Sequence, residues 1–188
     1  MNILESSKVI LRTNKKSILP ESQLPLVSYI IPVLNSERSL EKCIRTILFQ
    51  KYPRIEVIVI DNGSTDNSFS IAKKLGVKVL SLDGPLGEVR QLGITEASGE
   101  LISLWDSDAY LPHENWLSEA VSALVQSNKT STLWIRTIDP PNASNFSRGH
   151  TWYSWSLMLS FASRGIGFWG GGGSLFKKKA LMEVGGIT

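Results

Sequence analysis

From Val27 onward, short aliphatic runs alternate with amphipathic stretches. Val27-Ser28-Tyr29-Ile30-Ile31-Pro32-Val33 is a β-branched, apolar run of the kind that forms a strand buried on both faces. Leu40, Ile44, Ile47 and Leu48 then recur at helical spacing, with Asn35 or Ser36 placed to cap that helix. A second, almost wholly aliphatic strand is expected from Ile55 to Ile60. The turn Asp61-Asn62-Gly63-Ser64-Thr65-Asp66 follows it and opens a helix that ends at Gly76. A third strand is expected over Val77–Leu82, a helix from about Gly87 to Ser98, and a fourth strand over Leu101–Trp105. A helix over Glu114–Gln126 and a strand over Thr132–Thr137 complete the series.

Strands that alternate with helices predict an α/β fold, Rossmann-like, with a mostly parallel sheet and helices on both faces. The crossovers are then right-handed. Residues 1–26 read as a polar arm ending in Pro20 and Pro25, and 27–188 as one domain. A chain of 188 residues with 42% hydrophobic and 20% charged residues has room for such a core and lies outside the disordered range.

In open α/β sheets, ligands bind beyond the carboxyl ends of the strands. Polar sets stand at three of those ends: Asn35 and Glu37, Asp61 and Asp66, Asp106 and Asp108. Parallel pairing brings all three to one edge. Asp106-Ser107-Asp108 directly follows an apolar strand. Two carboxylates at that spacing suit one hard cation, or a cation and a ribose hydroxyl, and the competing reading is a turn capped by two aspartates. Asp61 closes its strand beside Gly63, which permits close approach of a ligand, so ligand contact is expected of Asp61 and helix capping of Asp66. Arg90 is read either as a solvated helix residue or as a bidentate partner for a diphosphate. Trp152, Trp155 and Trp169 suit either a core or stacking on sugar rings.

Charge and cysteine content narrow the class. The net charge of +3 comes without a dense basic stripe, which argues against nucleic acid as a partner. A single cysteine, Cys43, excludes an internal disulfide, and its helical position predicts a small buried hydrophobe. Residues 1–26 lack the apolar core of a signal peptide, and the Trp152–Trp169 stretch is too interrupted to span a bilayer. The expected setting is cytoplasmic, with any membrane association made at the cytoplasmic face through segments outside this chain. The glycine run 170–173 is not followed by Gly-Lys-Ser/Thr, so it is not a P-loop.

Five ordered segments resemble the family 2 glycosyltransferases of GT-A fold. They are Ile31-Pro32-Val33-Leu34-Asn35-Ser36-Glu37; Val59 to Asp66; Arg90-Gln91-Leu92-Gly93 with Ala97-Ser98-Gly99-Glu100; Asp106-Ser107-Asp108; and the glycine run with Ser174-Leu175-Phe176-Lys177 and Val184-Gly185-Gly186. The resemblance spans residues 27–188. It implies a nucleotide-binding set of Pro32, Val33, Asn35, Glu37, Asp61, Gly63, Arg90, Asp106 and Ser107. Within that set Glu37 lies near the ribose, Asp61 reads the base and Arg90 lies near the diphosphate. Asp106 and Asp108 are implied as the metal pair for Mg²⁺ or Mn²⁺. The implied reaction moves a sugar from a nucleotide-diphosphate sugar, a UDP-sugar by resemblance, to the hydroxyl of a glycan or lipid-linked acceptor, with inversion. Such a transferase would serve cell-envelope or polysaccharide biosynthesis. Leu34, Asn62 and Gln91 depart mildly from the family's frequent Tyr, Asp and Asn. The family's catalytic base lies in an acidic pair after the Gly-Gly segment, beyond Thr188, so no base is assigned within the chain. The alternative is a non-catalytic nucleotide-sugar-binding module lacking the acceptor half. A nucleotidyltransferase ranks lower, because Asn35-Ser36-Glu37 is not a glycine-rich basic loop.

Overall fold

A computed structural model describes residues 20, 23–126, 130–134, 139, 142–146, 148, 149, 151, 153 and 173–187. Most of the arm expected over 1–26 falls outside them, as do Trp152, Trp155, Trp169, Gly170 to Gly172 and the strand end expected at 135–137.

The described elements run β1 (Val27–Val33), α1 (Leu40–Leu48), β2 (Ile55–Asp61), α2 (Ser68–Lys74), β3 (Lys78–Ser81), α3 (Leu86–Glu96), β4 (Leu101–Leu104), α4 (Trp116–Val125), β5 (Thr132–Trp134), β6 (Ser174–Lys177) and α5 (Lys178–Glu183). They form one sheet of order β3-β2-β1-β4-β6-β5. The first four positions are mutually parallel, and β6 runs antiparallel to both β4 and β5. The expected α/β sheet with helices on both faces is present. Strand β6 was not announced by the hydrophobic pattern, since only Leu175 and Phe176 of its four residues are apolar.

Alternation along β1 divides the core. Tyr29, Ile31 and Val33 join α1, α2 and α4 on one face, while Ile30 joins α3 and α5 on the other. Burial on both sides explains why β1 is apolar throughout except at Ser28. In α1 the buried stripe is Leu40, Cys43, Ile44 and Ile47, so Cys43 is the buried small residue expected. Leu48 departs from expectation and is exposed. At 100° per residue it falls about 80° from Leu40, off the stripe centred on Ile44 and Ile47.

The expected cap for α1 is also corrected. Asn35 and Ser36 do not cap it, and the helix begins only at Leu40. Their side chains are committed elsewhere, and the Ser36 carbonyl instead receives the amides of Ser39 and Leu40, each at 3.0 Å. Helix α3 starts after Pro85 and stops at Ala97, whose extended backbone ends it before the expected Ser98.

Two close approaches hold α3 and the loop after it. At Gly93 an added Cβ would collide with Ile30 Cγ2 and lie 2.8 Å from Ile60 Cδ1. At Gly99 it would lie 2.7 Å from the Leu26 carbonyl and 2.8 Å from the Ser28 amide. Ser28 links three strand ends, because its hydroxyl donates to Glu56 Oε2 and accepts from the Gly99 amide at 2.9 Å. Glu56 also accepts from the Ser98 amide and hydroxyl, at 2.9 and 3.1 Å. Burial pushes the Glu56 carboxyl up. The Ser28 and Ser98 hydrogen bonds and the charge of Lys78 outweigh it and hold the group below its ordinary 4.5.

Two predictions follow from this packing. Gly93→Ala gains about 1 kcal/mol of helix propensity but meets an overpacking cost of about 1–3 kcal/mol, so the urea midpoint should fall. Gly87→Ala in the same helix meets open space and should rise by about 0.5–1 kcal/mol. Equal midpoints for the two variants would remove the close approach as a constraint. Because the folded carboxyl of Glu56 titrates below its unfolded value, its contribution is present above pH 4.5 and is lost as pH falls through the lower folded value. The stability gap between wild type and Glu56→Gln should therefore narrow as pH drops from about 6 to about 3, and a constant gap would refute the assignment.

Candidate functional site

The parallel register aligns the strand ends that carry the polar residues: Val33 is level with Asp61, and Ile30 with Leu104. The loops beyond them are tied to one another. Asn35 adopts a positive φ of 50°, a region asparagine tolerates. From there its amide donates to Ser64 Oγ at 3.0 Å, and its Oδ1 accepts from the Thr65 amide at 2.8 Å. The Glu37 amide donates to Asp66 Oδ2, and Glu37 Oε2 accepts from the Asn67 amide and side chain at 3.2 and 3.0 Å. The Ser36 amide reaches Ser68 Oγ at 2.8 Å. Asp66 Oδ1 accepts from the Ser68 amide at the start of α2, but the N-cap position itself is Asn67, so the expected cap stands one residue outside the helix end.

The third loop joins through hydroxyls, with Ser36 Oγ and Ser107 Oγ 2.8 Å apart. Between these loops opens a cleft of about 520 Å³, lined by Asn35, Ser36, Glu37, Arg38, Ser39, Asp66, Ser107 and Asp108. The structure thus brings Asn35, Glu37, Ser107 and Asp108 to one cavity. Arg38 and Ser39 were not foreseen, because a polar pair in the turn before a helix carries no motif.

The remaining expected residues stand outside that lining. Pro32 lies half-buried in β1, level with Ile60. Val33 has its side chain in the core, and its carbonyl accepts from the Asn62 amide at 2.8 Å. Gly63 takes φ 79°, which a side chain would resist. Asp61 is buried, with Oδ2 accepting from the Ser64 amide at 3.2 Å and Oδ1 without a hydrogen-bond partner. A buried acceptor left open costs about 1–3 kcal/mol and marks a place where a donor belongs.

Arg90 is not a solvated helix residue. Its side chain is 11% exposed, and Nη2 lies 3.3 Å from Asp106 Oδ1. Burial pushes the Asp106 carboxyl up, Arg90 opposes that, and the charge of Asp108 adds to it, leaving a net upward displacement. Asp106 and Asp108 therefore repel one another in a partly desolvated setting, where a cation would relieve both. A divalent ion of the hard type is commonly held by one or two carboxylates and completed by substrate phosphates. Among the described residues no group of three or more His, Cys, Asp or Glu forms a full protein cage. The donor set fits an ion that arrives with a diphosphate. Cys43 sits beneath this loop, its thiol 3.5 Å from the Asp106 carbonyl and pushed up to about 12 by burial and the two aspartates. It is inert packing.

The family model for Glycosyl transferase family 2 matches residues 28–185. The glycosyltransferase AglE of Haloferax volcanii is 37% identical over 112 residues, 55% of this chain and 36% of that protein. The mannosyltransferase PcManGT from Pyrobaculum calidifontis, in complex with GDP-Man and Mn²⁺, superposes with TM-score 0.68 at 21% identity. That match covers 98% of this chain and 53% of that one. Staphylococcus aureus TarS 1–349 in complex with UDP-GlcNAc gives TM-score 0.63 at 20% identity, covering 85% and 47%. The sheet is thus the GT-A, Rossmann-like fold, and the chain spans about a third to a half of the length of these relatives.

The loop lacing predicts an order of stabilities. Asn35→Gly loses the contact to Thr65, about 1 kcal/mol, but accepts the positive φ. Asn35→Ala loses the same contact and adds about 1 kcal/mol of backbone strain. Urea midpoints should rank wild type above Gly and Gly above Ala, and Ala equal to wild type would contradict the lacing.

Proposed function

The chain belongs to glycosyl transferase family 2, and on that premise we propose that it carries the donor site of a metal-assisted, inverting glycosyltransferase. The observation that carries this reading is the convergence of Asp61, Arg90, Asp106 and Asp108 on one edge of the sheet, from three elements: the end of β2, helix α3 and the loop after β4. In this reading Asp61 Oδ1 accepts an N–H from the nucleobase, which meets its open valence. Pro32, Val33 and Gly63 form backbone that a ligand can approach closely. Asn35 and Glu37 hold the wall of the cleft, with Glu37 toward the ribose and Ser107 beside it.

Arg90 offers a guanidinium to the diphosphate and keeps Asp106 oriented. Asp106 and Asp108 would hold Mg²⁺ or Mn²⁺, which when bound offsets the charge that develops on the departing nucleoside diphosphate. An acceptor hydroxyl on a glycan or lipid-linked glycan attacks the anomeric carbon from the opposite side and gives its proton to a carboxylate. None of the described carboxylates is assigned that last role. The relatives are consistent with either base, one solved in complex with GDP-Man and one with UDP-GlcNAc. We favour a uridine diphosphate sugar. Among the described residues no helix is long and apolar enough to cross a membrane. We place the site on the cytoplasmic side, any membrane attachment coming from other segments.

Calorimetric titration with UDP, with and without Mn²⁺, tests the reading. Binding should require Mn²⁺ and weaken at least about tenfold, roughly 1.4 kcal/mol, in Asp108→Ala. GDP and dTDP titrations should be weaker than UDP. If a folded sample binds none of the three, the donor-site reading fails.

A further inference from the structure

Gln91 stands where the resemblance places a frequent asparagine, and its side chain makes a long-range contact. Gln91 Oε1 accepts the Ile187 amide at 2.8 Å, across 96 residues. The chain reaches that point by a helix end in which Gly185 and Gly186 take φ of 95° and 82°. Their amides close on Met182 and Leu181 at 3.1 and 3.0 Å. Gly186 lies so close that an added Cβ would collide with Gln91 Oε1 and sit 3.0 Å from Cδ. The other end of α5 is anchored to the same region, the Lys178 amide bonding the Glu100 carbonyl at 2.9 Å and its Nζ the Ala97 carbonyl at 2.6 Å.

Gln91 is the immediate neighbour of Arg90, and α3 is pressed onto the sheet at Gly93. A residue contacting Asp106 and a residue contacting the Gly185–Ile187 turn are therefore carried on one rigid helical turn. We propose that Gln91 is a positioning residue. Through Oε1 it fixes the Gly185–Ile187 turn to α3, so that the backbone at Ile187 is held in register with the Arg90–Asp106 pair. The functional meaning of that register rests on the donor-site reading above. The hydrogen bond needs only an acceptor at Oε1, so glutamate can replace glutamine and alanine cannot.

The test is residue-resolved amide exchange on the chain with Gln91→Ala and Gln91→Glu, free and with UDP and Mn²⁺. In the free protein, Gln91→Ala should speed Ile187 exchange about five- to tenfold, the size expected for one lost hydrogen bond. Exchange at Ile30, in the centre of the sheet, should stay unchanged and so report that the variant folds. Gln91→Glu should restore the wild-type rate at Ile187. Saturating UDP and Mn²⁺ should slow Ile187 in wild type and Gln91→Glu but not in Gln91→Ala, while calorimetry shows all three binding UDP within about twofold. An Ile187 amide as fast in wild type as in Gln91→Ala overturns the proposal, and so does a glutamate variant that behaves like alanine. UDP that binds without altering Ile187 in wild type overturns the register. Absence of UDP binding by calorimetry refutes the donor-site reading instead, and the free-protein comparison still decides what Gln91 does.

Discussion

Helix α3 can lie where it does only because residue 93 has no side chain. The gap between that helix and the sheet is closed by Ile30 and Ile60, both fully buried, and a single methyl would overfill it. Much of the site's geometry follows from this. The approach sets the height at which Arg90 stands above the sheet edge and hence its contact with Asp106. It also sets where Gln91 meets the end of the described chain. Interiors are close-packed, and one helix carries both contacts, so a shift of α3 would disturb them together.

The cleft is acidic by construction. Glu37, Asp66 and Asp108 line it against one guanidinium, Arg38, and Asp106 stands just behind. A wall of that sign repels a diphosphate and draws cations, so on the proposed reading a ligand and its counter-ion would be recognised as one unit. The carboxylates are not free to retreat from one another. Glu37 and Asp66 are bonded into the opposite loop, and Ser36 and Ser107 join the third, so reorganisation on binding is small.

Much of this was legible in the residues. The aliphatic runs at Val27–Val33 and Ile55–Ile60 located the sheet centre, and their polar ends located the edge where the cleft opens, because a parallel sheet leaves little freedom about where such ends meet. Cys43 as buried filler was also readable. What escaped was contact made at long range by ordinary residues. Nothing local marks Glu56 as the hub joining Ser28 and Ser98, or Gln91 as the partner of Ile187, since neither lies in a periodic pattern that demands it. The cap of α1 was misplaced for a related reason: Asn35 has the chemistry of a cap, but a more distant donor, Thr65, takes its oxygen. Arg90 could not be decided from spacing, because exposure of a helical arginine depends on whether the sheet edge rises to meet it.

Asp61 has one further consequence. Its Oδ1 is walled from solvent without a hydrogen-bond partner, and a carboxylate oxygen offers only lone pairs. A heterocycle that turns an N–H toward it completes the valence, whereas one that turns a ring nitrogen or carbonyl toward it sets lone pair against lone pair with no water to intervene. On the proposed donor-site reading, the carboxylate would sort nucleobases by polarity at a single atom, accepting imide-type edges and refusing those of the opposite sense. Pockets that discriminate through an unmet hydrogen bond do so far more sharply than pockets that discriminate by shape.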